Sequence, residues 1–82
     1  MTLTFKLFAT LMDYLPDNAV KNAVELEVKD GTSANDLISR YAVPRNEVHL
    51  VLVNGIYAGE EARDDPLRDG DVVAIWPPVA GG

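Results

Sequence analysis

Near its N-terminus the chain alternates between apolar and polar side chains, the pattern of a strand with one buried face. Over Thr2 to Phe8 every second residue is apolar, namely Leu3, Phe5 and Leu7. A second alternating stretch covers Ala23 to Val28. The two stretches predict two β-strands that each turn one side towards a core.

Helical signals follow each of these strands. Ala9 to Leu15 is predicted to form one or two helical turns, since apolar residues four apart are followed by a proline. The main helix is predicted to start at Thr32 or Ser33, and Asp36 stands at capping-box spacing from Ser33. Pro44 closes this region. The apolar residues at helical spacing are Ala34, Leu37, Ile38 and Tyr41.

The second half of the chain returns to strand patterns. Val48 to Val53 is almost entirely apolar, as expected for a strand in the middle of a sheet. Asn54-Gly55 predicts a tight hairpin turn into a short edge strand over Ile56 to Ala58. After an acidic loop, Gly59 to Pro66, and a tight turn, the last strand is predicted over Val72 to Trp76.

The order of elements predicts the fold class. Two strands, one helix and three further strands imply an α+β domain, a mixed sheet of four to five strands covered by one main helix. The β-grasp arrangement, with the first and last strands parallel and side by side, meets this order. We predict a β-grasp domain over residues 1–76 and a flexible C-terminal tail over residues 77–82.

Composition excludes several classes of function. The chain has 82 residues, enough for one domain, and no cysteine, so it has no thiol for disulfides, thiolate metal sites or sulfur chemistry. A net charge of −6 argues against nucleic acid as a partner and favours a partner with a basic face. The sequence shows neither a secretory leader nor a membrane-length apolar run. We therefore expect a cytoplasmic protein without membrane partners.

The usual catalytic and metal-binding patterns do not support a site of the chain's own. His49 is the one histidine and has no nucleophile at motif spacing. The acidic residues Asp64, Asp65, Asp69 and Asp71 invite a calcium hypothesis, but their spacing does not match a calcium loop. We predict a solvated acidic turn there, with no metal, no bound cofactor and no independent active site.

The end of the chain has distinctive physical properties. Two prolines stiffen its exit from the sheet, and the following side chains become smaller until none remains. Such a thin tail can carry the Gly82 carboxylate into a narrow channel of another enzyme, where attack on ATP would activate it as an acyl-adenylate. The alternative is a frayed terminus without a role. The candidate site residues are Trp76, Pro77, Pro78, Val79, Ala80, Gly81 and Gly82.

Trp76 admits two interpretations of its own. Alternation along the last strand puts Val73 and Ile75 on one face, and Val72, Ala74 and Trp76 on the other. If the helix covers the first set, Trp76 is exposed beside the tail and can anchor a partner. Alternatively, Trp76 caps the edge of the core.

Three segments in this order give the sequence a family resemblance. They are Val53-Asn54-Gly55, the run from Pro66 to Val73 with its Asp-Gly-Asp turn, and Pro77 to Gly82. With them, the whole chain resembles the MoaD/ThiS family of sulfur carriers, and its double proline and length are closer to MoaD. The resemblance implies a ubiquitin-like fold whose terminal glycine is adenylated and thiocarboxylated by a ubiquitin-activating-type enzyme that uses ATP.

The resemblance also implies partners and a pathway. A MoaD-like carrier is the small subunit of molybdopterin synthase and inserts its tail into the large subunit, whereas a ThiS-like carrier supplies sulfur to thiazole synthase for thiamin. Two other hypotheses stay open: a protein modifier that forms isopeptide conjugates through Gly82, and a binding module with an inert tail.

Overall fold

The alternating N-terminal stretch forms β1 (Thr2–Leu7) in the computed structural model, which describes residues 1–78. β2 (Ala23–Glu27) pairs with it in antiparallel fashion, so that Leu3 lies opposite Leu26. The apolar residues of β1 are fully buried, which confirms the predicted face. Both strands end one residue before their predicted ends, and β1 is followed by a 3₁₀ segment, Ala9–Tyr14.

The main helix, α1 (Ala34–Arg40), starts where its capping signals place it. The Ser33 hydroxyl oxygen accepts a hydrogen bond from the Asp36 backbone N–H at 3.1 Å. In return the Asp36 carboxylate accepts one from the Ser33 N–H at 2.9 Å. This reciprocal pair satisfies two N–H groups that a helix start otherwise leaves unbonded.

The second half supplies β3 (Leu50–Val53), β4 (Ile56–Tyr57) and β5 (Val72–Trp76). β3 starts two residues later than predicted, because the chain before it forms a 3₁₀ turn, Arg45–Glu47. β4 ends at Tyr57 rather than Ala58, although the Ala58 N–H still donates to the Val51 carbonyl at 2.8 Å, in line with the register of β3 and β4. The acidic loop contains a further 3₁₀ turn, Ala62–Asp64.

The strand order is β2-β1-β5-β3-β4, so β5 is the central strand. It runs parallel to β1, with Phe5 opposite Val73, and antiparallel to β3, with Val51 opposite Ile75. The predicted parallel pairing of the first and last strands is therefore confirmed. A mixed five-stranded sheet with one main helix is the ubiquitin-like β-grasp arrangement.

One face of the sheet packs against α1 and forms the core. Leu37 and Ile38 of the helix lie on fully buried residues of the central strands, including Val73 and Ile75 of β5. Alternation turns the next set of side chains to the opposite side of the sheet, which we call the open face. Its apolar members on and beside β5 are Phe8, Leu50, Leu52, Val72, Ala74 and Trp76.

Candidate functional site

The last strand is held on both sides until its final residue. The Phe8 N–H donates to the Ile75 carbonyl at 3.1 Å, and the His49 N–H donates to the Trp76 carbonyl at 3.0 Å. Pro77 and Pro78 follow at once. Each residue before a proline is restricted to extended backbone, so the chain continues away from the sheet in an extended direction.

Trp76 lies half-buried on the open face, where its ring stacks on Phe8. The two ring centroids are 4.0 Å apart and the planes differ by 7°. Neither sequence interpretation describes this position fully. Trp76 is beside the exit of the tail, as the first expected, but another aromatic ring covers one of its sides. Stacked aromatic pairs in proteins contribute about 0.5–1.5 kcal/mol beyond the area they bury.

The structure brings three of the predicted site residues together at one end of the sheet. Trp76 and Pro77 are half-buried there, and Pro78 is exposed. The remaining candidates, residues 79 to 82, lie outside the described residues. The roles predicted for Val79, Ala80, Gly81 and Gly82, and the predicted flexible tail, remain predictions.

The opposite end of the sheet is fastened by side-chain hydrogen bonds from Asn54, Asp69 and Asp71, which we call the polar latch. Asp69 Oδ1 accepts the Thr2 N–H at 2.7 Å. Asn54 donates from Nδ2 to Asp71 Oδ1 at 2.8 Å and accepts the Val72 N–H on Oδ1 at 2.9 Å. The latch therefore connects β1, the β3–β4 turn and β5.

The hydrogen bonds of the latch give the acidic residues Asp69 and Asp71 of this turn a structural role. The second oxygen of Asp71 accepts the Arg68 N–H at 2.8 Å, and Gly70 turns the chain with φ +86°. These carboxylates are thus engaged with backbone donors. Within residues 1–78, no three His, Cys, Asp or Glu side chains converge as the ligands of a metal ion would.

Phe8 is the site residue that sequence reasoning missed. The pattern placed it at the end of the first strand and gave it no role. The signal was nevertheless present, because alternation puts Phe8 on the face opposite Leu7. A parallel register of Leu7 with Ile75 then makes Phe8 the cross-strand neighbour of Trp76.

A second exposed apolar group lies at the latch end. Ile56 and Tyr57 of β4 are 72% and 64% exposed, and they border a groove of about 400 Å³ that also includes Pro66. The strand β3 lies between the edge strand β4 and β5, which carries Trp76. No helix among residues 1–78 has the length and apolar character needed to cross a membrane.

Solved structures share this fold. SAMP1, a small archaeal modifier protein from Haloferax volcanii, is 25% identical over 100% of both chains, with a TM-score of 0.69. Molybdopterin converting factor subunit 1 from Pyrococcus furiosus is 27% identical, with a TM-score of 0.64, over 95% of this chain and 98% of that one.

A protein–protein complex supplies a third similar structure, that of subunits 1 and 2 of molybdopterin-converting factor from Helicobacter pylori. The matched chain is 19% identical over 100% of both chains, with a TM-score of 0.62, a likeness that shows the fold alone. Comparison of the sequence with curated proteins gives no match.

The family comparison covers the latch, the last strand and the tail in one match. The model of the ThiS family matches residues 5–82, which is nearly the whole chain and includes the final two glycines. This protein therefore belongs to the ThiS family.

Proposed function

We propose that this protein is a ubiquitin-like sulfur carrier that works through the carboxylate of Gly82. The observation that carries the proposal is the extent of the family match, which continues through Pro77 and Pro78 to Gly82. The body of the protein presents the tail, and a partner enzyme supplies the catalytic machinery. The chain acts as a substrate and a subunit and binds no cofactor of its own.

The proposed chemistry has two steps on one carboxyl group. In the first, a carboxylate oxygen of Gly82 attacks the α-phosphorus of ATP in a ubiquitin-activating-type enzyme, and pyrophosphate leaves. In the second, a sulfide-level sulfur nucleophile attacks the resulting acyl-adenylate, and AMP leaves. The product is a thiocarboxylate that can pass its sulfur to an acceptor. Gly81 and Gly82 suit a narrow channel because they have no side chains.

The tail end of the sheet provides the proposed contact surface for partners. Trp76 and Pro77 are partly accessible beside the exposed Pro78, and Val79 and Ala80 continue from them. Aromatic residues at the centre of an interface often supply much of its binding free energy. We expect the adenylating enzyme and the sulfur-accepting subunit to contact these residues in turn.

Molybdopterin or tungstopterin synthesis is the pathway that we favour. Its support is the likeness to subunit 1 of molybdopterin converting factor from Pyrococcus furiosus. The Helicobacter pylori structure, in which subunits 1 and 2 form a complex, suggests a large subunit as the second partner. The alternative acceptor is the thiazole of thiamin, made by thiazole synthase, as the resemblance to ThiS implies.

Mass spectrometry of the intact protein tests the proposal. The chain is incubated with ATP, a sulfur donor and the ubiquitin-activating-type enzyme of its own organism. We expect the mass change for replacement of one oxygen by sulfur, located on Gly82 by fragmentation. A variant without Gly81 and Gly82 should fold with the same stability and remain unmodified. An unchanged mass of the full chain, with an enzyme that is active on ATP, would refute the proposal.

A protein modifier is the second candidate function, and the likeness to SAMP1 favours it. In that case a lysine amine of another protein attacks the Gly82 adenylate or a derived thioester, AMP or the enzyme's thiol leaves, and an isopeptide bond forms. Affinity-tagged protein recovered from cells should then carry covalent conjugates that persist in denaturant and are absent for the variant without Gly81 and Gly82. Recovery of unconjugated protein alone would exclude this function.

The deletion variant also tests the binding module with an inert tail. Under that hypothesis, loss of Gly81 and Gly82 leaves both partner binding and pathway activity intact. We expect activity to be lost while the fold is retained, which would exclude an inert tail.

A further inference from the structure

The stack between Phe8 and Trp76 lies at the root of the tail, directly before the two prolines. We infer that Phe8 is a positioning residue that acts through Trp76: its ring holds the indole, and so restricts the direction in which the tail leaves the sheet. This role rests on the proposed function, since it matters only if a partner enzyme must receive the tail.

Phe8 is itself firmly placed. Its N–H donates to the Ile75 carbonyl of β5, and its carbonyl accepts the N–H of Leu11 at 3.1 Å. Leu11 is fully buried, so the turn after Phe8 is tied to the core. Between them Ala9 adopts a left-handed backbone, with φ +53°, which is unfavourable for a residue with a side chain. Such a conformation persists only where surrounding contacts enforce it.

Consecutive residues connect the ring stack to the start of the tail, and each of them has limited conformational freedom. The Trp76 carbonyl is already bonded to the His49 N–H, so the backbone at Trp76 has little freedom. The stack with Phe8 removes rotational freedom of the indole. Because Trp76 and Pro77 both precede a proline, the extended direction set at Trp76 is carried on to Pro78.

Restricting the backbone at residues 76–78 reduces the conformational entropy that is lost on binding. It does not change the activation barrier of adenylation. A tail whose first residues already have a fixed direction loses less conformational entropy when it enters a partner's channel. Phe8 does not touch the reacting carboxylate through this route, so the rate constant of the adenylated complex should not change. The expected consequence of losing the stack is a rise in KM of roughly two- to tenfold, the range that one aromatic pair supplies.

The decisive variant is Phe8→Leu, which keeps an apolar side chain but removes the flat ring. Phe8→Tyr is the conservative partner, since it retains a ring that can stack. Tyr57→Ala is the matched control, because it removes an exposed aromatic residue on the edge strand β4, which β3 separates from β5. If Phe8→Leu fails to fold, Phe8→Met replaces it.

Two measurements are made on each full-length variant. Trp76 is the one tryptophan in the sequence, so time-resolved fluorescence anisotropy reports the motion of its ring without a label. Pyrophosphate exchange with ATP, catalysed by the ubiquitin-activating-type enzyme of the same organism, gives KM and kcat for adenylation. Both are measured below the unfolding transition of the variant.

We expect Phe8→Leu to add a fast component to the anisotropy decay and to raise KM with kcat unchanged. Phe8→Tyr and Tyr57→Ala should behave like the unaltered protein. An unaltered anisotropy decay or an unaltered KM in Phe8→Leu overturns the positioning role, as does a loss confined to kcat. If the unaltered protein supports no exchange with an active enzyme, the proposed function itself fails, and this role fails with it.

Discussion

The two ends of β5 are held by different kinds of interaction. At its start, the polar latch of Asn54, Asp69 and Asp71 connects three parts of the sheet with side-chain hydrogen bonds. At its end, backbone hydrogen bonds and the stack of Phe8 on Trp76 hold the strand before the prolines. Hydrogen bonds demand defined distances and angles, whereas a stacked ring tolerates sliding.

The two ends of β5 are therefore expected to contribute to different properties of the protein. The latch end fixes the register and connection of β1, β3 and β5, and so contributes mainly to the free energy of unfolding. We propose that the tail end orients the tail for partners, and we expect substitutions there to change partner binding more than the free energy of unfolding. Substitutions at the latch end should therefore lower the free energy of unfolding and leave KM for adenylation unchanged. Substitutions at the tail end should raise KM with little effect on unfolding.

The largest effect on stability is expected from Asn54→Ala. The change removes two hydrogen bonds, to Asp71 and Val72, and leaves alanine at a left-handed φ of +54°. Together these losses should lower the free energy of unfolding by roughly 2–3 kcal/mol. Urea denaturation followed by circular dichroism measures this, and KM for adenylation should stay constant.

Asn54→Gly is the control for that variant. Glycine accepts the left-handed backbone but also lacks both hydrogen bonds, so it isolates their share of the loss. Equal stability of Asn54→Gly and the unaltered protein would show that the latch hydrogen bonds contribute no more than glycine gains at the left-handed backbone.

A smaller loss is expected from Gly70→Ala, within the latch turn. Gly70 has φ +86°, and a Cβ there would meet no atom within 4 Å, so the penalty is conformational rather than steric. We expect a loss of about 1–2 kcal/mol in the free energy of unfolding. Gly59→Ala is the matched control, because Gly59 has no positive φ and its Cβ would make an ordinary contact at 3.7 Å. A loss as large in the control would contradict the conformational explanation.

The smallest effect, and one of opposite sign, is expected from Ala9→Gly at the tail end. Glycine removes the backbone strain at φ +53°. Ordering glycine also costs more conformational entropy than ordering alanine, so the net gain in stability is small. Thermal unfolding should show a gain of about 0.5 kcal/mol.

Ala42→Gly is the corresponding control after α1, since Ala42 has φ +55°. Ala42→Gly should raise the free energy of unfolding by a similar amount, without any change in the fluorescence of Trp76. A destabilised Ala9→Gly would show that the turn after Phe8 is not strained.

Most of the fold could be predicted from the sequence because its signals are local. Alternation defined β1 and β2, and the capping residues Ser33 and Asp36 marked the start of α1. The errors lay at element ends. Val48 and Ala58 suit a strand by composition, yet a 3₁₀ turn directly precedes Val48 and β4 ends at Tyr57, so both residues lie just outside their strands.

The candidate site was predicted only in part, since it depends on contacts between distant segments. Trp76, Pro77 and Pro78 are adjacent in sequence and could be proposed together. Phe8 is brought to Trp76 by the parallel register of β1 with β5, which no local pattern specifies. The bonds of Asn54 with Asp71 likewise connect residues 17 positions apart.

The central place of β5 has a consequence for how the molecule is made. The sheet consists of one strand pair, β1 with β2, and another, β3 with β4, and only β5 joins them. During synthesis both hairpins leave the ribosome before that joining strand does. A nascent or prematurely terminated chain that lacks β5 therefore cannot form the five-stranded sheet. The body of the protein folds only after the residues up to Trp76 have been synthesised.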